Sequence, residues 1–251
     1  MRSHTGTDAL DVRYATLDDC DRATGLVVVI DVIRAFTTAA HVLDRGATEI
    51  WPVADVDEAF ALRDRHPGVL LMGEEGGIKV DGFDAGNSPS QLDGIDFTGR
   101  TVVQRTSAGT QGIARSVAAE HMLAASFVCA AATVRAIRRL ADGRVTFVVT
   151  GVDRHRDGDE DVACADYLSA LLRGEAPDPT SYLRRVPVST AGRHFTDEDR
   201  PEVLGRGSAK RFVEPGSAKF PAADLDLATE LDRFDFAMRV TRGERNVLRA
   251  L

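Results

Sequence analysis

Between about residues 26 and 173, short runs of Val, Leu and Ile alternate with longer segments of helical period. "LVVVID" predicts a strand, followed by a helix from about Arg34 to Arg45. "TEIWPV" predicts a second strand, and "DVDEAFALRDRH" a helix with Asp55 at its N-cap and acids in its first turn. "GVLLMG" is a third strand, and "RTVVQRT" is a fourth that leads into a helix over "GTQGIARSVAAE". "HMLAASFV" is a fifth before the helix "AATVRAIRRLAD", and "RVTFVVTG" a sixth before "DEDVACADYLSALLRG". Unbroken apolar runs between helices are what a sheet covered on both faces requires, so the expected class is α/β, doubly wound around a mostly parallel sheet.

Two regions fall outside this rhythm. Gly73 to Gly99 has no clear period and is rich in Gly, Asp and Ser, as a functional loop would be. After Gly174 the pattern weakens into proline-rich coil and a mixed tail, "LDLATELDRFDFAMRVTRGE". "GSAK" occurs at Gly207 to Lys210 and again at Gly216 to Lys219, too little for a repeat architecture. With no linker in evidence, one domain is expected over 1–251: a motif-bearing part of about 26–173, with 174–251 packed on it.

Composition narrows the setting. A formal charge of −8 argues against nucleic acid as a partner, because phosphate contacts need clustered Lys and Arg. An anion site here would need local compensation from arginines, backbone amides or a metal ion. Cys20, Cys129 and Cys164 are odd in number and lack CxxC spacing, which does not suggest a disulfide framework or a structural zinc site. The first twenty residues carry acids and no apolar core, and no run reaches the roughly 18 apolar residues of a membrane span. A soluble cytoplasmic protein is the expectation.

In a parallel sheet the C-terminal ends of the strands share one rim, where ligands bind. The first strand ends at Asp31 and Arg34, and the third runs into Glu74 and Glu75. The fourth runs into Thr106, Ser107, Gly109 and Thr110, and the sixth into Thr150 and Gly151, with Glu160 and Asp161 beyond. Carboxylates suit a hard cation such as Mg²⁺, hydroxyls and glycine amides suit phosphate, and arginine supplies a bidentate clamp. Each residue also has an ordinary explanation. Asp31 serves as a helix cap, Thr37 and Thr38 bond back to helix carbonyls, and Glu160 and Asp161 complement a helix dipole. Their convergence on one rim favours metal-dependent chemistry on a small anionic phosphorylated substrate.

Other motifs fare less well. Cys129 and Arg135 have the C-x5-R spacing of cysteine phosphatases, but the intervening "AAATV" reads as helix and lacks glycine. No P-loop or G-x-G-x-x-G is present. The histidines (His4, His41, His66, His121, His155, His194) have no zinc-hydrolase spacing, and only His155 lies in a candidate loop.

"DVIRAFTT", "GEEGGIKVDGFDAGNSP", "RTSAGT" and "EDVACADYL", in that order, resemble the 2-phosphosulfolactate phosphatase family over roughly Val27 to Leu172. The resemblance implies a three-layer α/β/α fold, a homo-oligomer such as a dimer, and Mg²⁺-dependent hydrolysis of (R)-2-phospho-3-sulfolactate in coenzyme M biosynthesis. The products would be 3-sulfolactate and phosphate. Under this reading Asp31, Glu160 and Asp161 hold the metal, with Glu74 a further ligand or general base. Arg34 and residues Thr106, Ser107, Gly109 and Thr110 grip the phosphate, assisted by Thr37 and Thr38. Asn87 and Ser88 contact the rest of the substrate, with Lys79 nearby. This chain departs from the family pattern at Glu75, Ala108 and Asp166, and Arg154 and Arg156 compete for one role. Attack by Asp31 itself would give a phosphoaspartate, but the second Asp usual in such enzymes is replaced by Ile33, so attack by water is expected. The alternatives are a phosphatase for another phosphorylated hydroxy acid and a catalytically idle anion-binding protein.

Overall fold

The computed structural model describes residues 10–153, 155–192 and 219–251. His4, Arg154, His194 and the first "GSAK" lie outside the described residues. The six strands expected from the apolar runs all form: β2 (Gly25–Ile30), β3 (Glu49–Val53), β4 (Leu70–Glu75), β6 (Thr101–Arg105), β7 (Ala119–Ala125) and β8 (Arg144–Val149). To these are added β1 (Asp11–Ala15), β5 (Ile78–Lys79), β9 (Met238–Thr241) and β10 (Val247–Ala250). The order across the sheet is β1-β8-β2-β7-β9-β10-β3-β6-β4-β5.

Two parallel blocks make up most of the sheet. β1, β8, β2 and β7 pair in parallel, as do β3, β6 and β4. The antiparallel β9–β10 hairpin joins them, pairing with β7 on one side and β3 on the other. The C-terminal residues are thus central strands of the sheet, beyond the packing role read from the sequence.

Among the described residues the α-helices are α1 (Ala35–Asp44), α2 (Val56–Arg65), α3 (Gly109–Arg115), α4 (Ala130–Leu140), α5 (Asp159–Leu172), α6 (Thr180–Leu183), α7 (Arg185–Val188) and α8 (Ala223–Ala228). Asp55 takes the N-cap position of α2, although its side chain makes no capping bond. α3 is shorter than its sequence suggested. Ser116 bonds back to the Gly112 carbonyl, and Ala119 and Glu120 leave the helix to begin β7.

Alternate residues of β2 face opposite layers, as strand geometry requires. Val27 and Val29 pack with Phe36, Ala39 and Ala40 of α1. Leu26, Val28 and Ile30 pack with Ile137 of α4 and Cys164 and Leu168 of α5. On the β3–β6–β4 block, Trp51, Leu71 and Val103 pack against Ala59 and Leu62 of α2. The result is a three-layer α/β/α arrangement around a mostly parallel sheet. Truncating a fully buried ring such as Phe36 or Phe147 to alanine should cost about 3–5 kcal/mol. This rigid support holds the strand ends that carry the site.

Candidate active site

Asp31 follows β2 and is buried. Its Oδ1 accepts the Ala35 amide at 3.0 Å, so it does cap α1 as its local sequence suggests. Burial pushes its pKa up to about 6; the Ala35 amide opposes the shift, and the charge of Glu74 adds to it. Arg156 and the Gly109 amide pull the other way. Glycine is needed at Gly109, because a Cβ there would lie 2.6 Å from Ala35 Cβ and 2.9 Å from Asp31 Oδ2.

Glu160 and Asp161 open α5 and reach the same rim. Burial pushes Glu160 up to about 7; its own backbone and Ser189 oppose this, while Asp31 and Asp157 reinforce it. Among the described residues, the buried Oε2 of Glu160 has no hydrogen-bond partner. Asp161 is raised well above the usual carboxylate range by burial, then by Glu160 and Asp31. Its oxygens are engaged: Oδ1 accepts the Val32 amide at 2.8 Å, while Oδ2 accepts the Gly151 amide at 2.8 Å and Thr150 Oγ1 at 3.4 Å. Asp161 therefore stitches the ends of β2 and β8 together. Gly151 lets Asp161 and Glu160 approach, since a Cβ there would meet Asp161 Oδ2 at 3.0 Å and Glu160 Oε1 at 3.3 Å.

The second group of predicted residues forms a lock. Glu74, at the end of β4, accepts the Ser107 amide at 2.6 Å, the Ser107 hydroxyl at 3.0 Å and the Gly77 amide at 2.5 Å. Thr106 and Thr110 bond reciprocally: each backbone amide donates to the other's hydroxyl, at 2.8 and 3.0 Å. The amides of Thr106, Ser107 and Thr110 are thus spent inside the protein, which departs from the phosphate cradle expected there. Gly73 carries φ 143°, and a Cβ would lie 1.8 Å from the Arg105 carbonyl, so only glycine fits in β4 immediately before Glu74.

Arg34 lies in a third group. Its Nη1 donates to Asp224 Oδ2 at 2.9 Å, its Nη2 donates to the Gly77 carbonyl at 3.0 Å, and its guanidinium lies over the Phe220 ring. Asp224 also accepts Ser88 Oγ at 2.8 Å, Ser90 Oγ at 2.6 Å and the Ser90 amide at 3.1 Å. Sequence reading missed Asp224. Its position in a mixed C-terminal segment gave no sign that it crosses 190 residues to meet Arg34.

The remaining candidates divide. Thr37 donates to the Val32 carbonyl and bonds Ser126 Oγ, each at 2.7 Å, which is the structural role foreseen for a helical threonine. Thr38 Oγ1 and Asn87 Oδ1 are buried without a partner among the described residues. Lys79 and His155 are exposed; the His155 backbone amide donates to Asp153. Arg156 donates to Asp153 at 2.7 Å, and its positive charge acts on Asp31 and Asp161. Of the departures, Glu75 pairs with Arg105 at 3.3 Å, and Asp166 bonds Tyr14 and Arg185. Cys129 is buried, and burial pushes its thiol up, opposite to the needs of a nucleophile.

The rim can do one thing that a purely structural cluster cannot. Asp31 and Glu160 are buried carboxylates raised by burial, and the charge of Asp31 raises Glu160 further. One Glu160 oxygen lacks a donor among the described residues, so a hard cation fits this donor chemistry. Among the described residues, no three His, Cys, Asp or Glu side chains form a metal cage. Two carboxylates supplemented by substrate oxygens and water remain suited to a small hard ion. Among the described residues no helix is long and apolar enough to cross a membrane.

Comparison with known proteins points the same way. A family model described as 2-phosphosulpholactate phosphatase matches residues 14–243. The chain is 33% identical over 213 residues to a probable 2-phosphosulfolactate phosphatase of Bacillus subtilis, covering 85% of this chain and 86% of that protein. It is 41% identical over 210 residues to one of Carboxydothermus hydrogenoformans, covering 83% of each chain. A similarly described protein of Thermotoga petrophila is 31% identical over 217 residues, covering 86% of this chain and 89% of the relative. With its rim of buried acids built on the motifs that run through this match, the chain belongs to the 2-phosphosulfolactate phosphatase family.

Proposed function

We propose that this phosphoric monoester hydrolase acts on (R)-2-phospho-3-sulfolactate, releasing 3-sulfolactate and phosphate, and that it requires Mg²⁺. The observation that carries the metal is the buried oxygen of Glu160 with no partner among the described residues, on a carboxylate that the charge of a second raised acid, Asp31, pushes up. Asp31 and Glu160 would hold the ion, while Asp161 fixes the backbone between them through Val32 and Gly151. The chemistry such an ion supplies is withdrawal of charge from a phosphoryl oxygen and activation of water.

The chain's own residues do the rest. Glu74 is held by Ser107 and Gly77, with three of its roughly four lone-pair sites filled, and the last is the proposed acceptor of the water proton. Arg156, which acts electrostatically on Asp31, is the cation proposed for the phosphate oxygens. Arg34 joins Arg156 on the phosphate oxygens, while Asn87 and Ser88 bind the remainder of the substrate. Water attacks phosphorus in line and gives its proton to Glu74, and the ester oxygen leaves with the electron pair of the broken P–O bond and takes up a proton from solvent. Ile33 in place of a second Asp favours this direct hydrolysis over a phosphoaspartate. The reading also carries the family expectation of a cytoplasmic homo-oligomer in a coenzyme M pathway.

The test is a panel of phosphosulfolactate, phospholactate and phosphoglycerate, each assayed with Mg²⁺ and with chelator. The expected result is a preference of at least about tenfold in kcat/KM for phosphosulfolactate, abolished by chelation. Equal turnover of the three substrates would remove the substrate assignment, and full activity in chelator would remove the metal.

A further inference from the structure

We infer that Asp224 is a positioning residue for this active site, acting through the Arg34 guanidinium and the Ser88–Ser90 segment. The carboxylate is fully shielded from solvent, and Arg34 is almost so. It gathers donors from two separate parts of the chain: Arg34 after β2, and Ser88 and Ser90 after β5. Arg34 then donates to the Gly77 carbonyl, and the Gly77 amide donates to Glu74. Hydrogen bonds joined through the Gly77 backbone therefore link the C-terminal α8 to Glu74, whose charge acts on Asp31. Phe220 completes the contact, because it packs under Arg34 and against Gly77, where an added Cβ would meet its ring at 2.9 Å.

Charge alone gives Asp224 no reason to be in this place. A carboxylate near an anion site opposes the substrate electrostatically. Its value lies in geometry: a planar guanidinium keeps one orientation when a carboxylate and a carbonyl hold its two ends. Without the carboxylate, Arg34 and the Ser88 hydroxyl lose their common acceptor, and both are placed on the substrate by the proposed function. The inference rests on that reading for the role of Arg34.

The two accounts of Asp224 predict opposite signs. Asp224→Asn keeps the volume and removes one negative charge. If Asp224 contributed only charge, inorganic phosphate would inhibit the variant more strongly. Positioning predicts weaker grip: the inhibition constant for phosphate should rise about tenfold and kcat/KM should fall about tenfold, with the circular dichroism spectrum unchanged. Both changes should shrink below about twofold when Asp224→Asn is introduced into an Arg34→Ala background, because the group it positions is already gone. Tighter phosphate inhibition, or full effects in the Arg34→Ala background, would overturn the inference. If Arg34→Ala alone leaves kcat/KM and phosphate inhibition unchanged, the assignment of Arg34 to the substrate fails, and the positioning role fails with it. A damaging Arg34→Ala with an innocuous Asp224→Asn defeats the positioning role alone. Should Asp224→Asn not fold, Ser88→Ala with Ser90→Ala retains the ion pair and removes its hydroxyl support. A rise of about threefold in the phosphate inhibition constant, absent in the Arg34→Ala background, then upholds the inference, and no change overturns it.

Discussion

Asp224 and Glu160 are 1% and 2% exposed, respectively, and both are acids on helices that approach the same rim. Asp224 meets a guanidinium, two hydroxyls and an amide. Glu160 meets other acids and keeps an oxygen with no partner among the described residues. Burying a charge is costly unless it is paired and hydrogen-bonded. Asp224 satisfies that requirement within the fold, whereas the Asp31–Glu160 pair leaves it for something outside the chain to satisfy. The contrast separates a carboxylate that holds structure from carboxylates kept in readiness for chemistry.

The largest effect should fall on activity at the unsatisfied pair. Asp31→Asn is expected to lower kcat by at least about a hundredfold while leaving the melting temperature equal or higher, because it removes a repelling charge. A variant with near-normal turnover would break the contrast at once. Stability should respond the other way at the satisfied acid. Asp224→Ala leaves Arg34 buried without its counter-charge and should cost about 3–5 kcal/mol in urea denaturation, whereas Glu160→Gln should cost little or stabilise.

The pH dependence follows from the same pair. Asp31 rises from its ordinary 3.8 to about 6, and Glu160 from 4.5 to about 7. Between those values the folded protein retains protons that the unfolded chain has released, so stability must fall as pH rises. Metal-free protein should therefore lose stability between about pH 4 and 7, with a slope of up to about 1.4 kcal/mol per pH unit for each group. Glu160→Gln should flatten the profile, and Mg²⁺ should restore stability at the alkaline end. A flat profile in the metal-free wild type would show that the two acids are not strained. The smallest effect belongs to Thr37→Val, which removes bonds to Val32 and Ser126: about 1 kcal/mol of stability, with turnover within about twofold.

The sequence was most informative where one residue type had one physical meaning. Apolar runs such as "LVVVID" and "RVTFVVTG" have to be buried on both faces, and they became β2 and β8. Asp31, Glu74, Glu160 and Asp161 were legible as a group because strand ends share a rim. β1 escaped notice because an edge strand reading DVRYA exposes several residues and lacks the apolar run of a central strand. β9 and β10 are short and mixed in polarity, and their place between β7 and β3 depends on pairing across the whole chain. Asp161 and Thr106 to Thr110 had the right residue types, but only coordinates reveal that their polar atoms are largely spent on one another and on nearby backbone. Asp224 lacked even a motif, since its meaning comes entirely from partners more than 130 residues away.

Calorimetric titration of Mg²⁺ into wild-type, Glu160→Gln and Asp224→Asn proteins tests the central contrast most directly. The account predicts one ion bound by the wild type, affinity lowered at least about tenfold by Glu160→Gln, and affinity within about threefold of wild type in Asp224→Asn. Equal binding by the wild type and Glu160→Gln would contradict it.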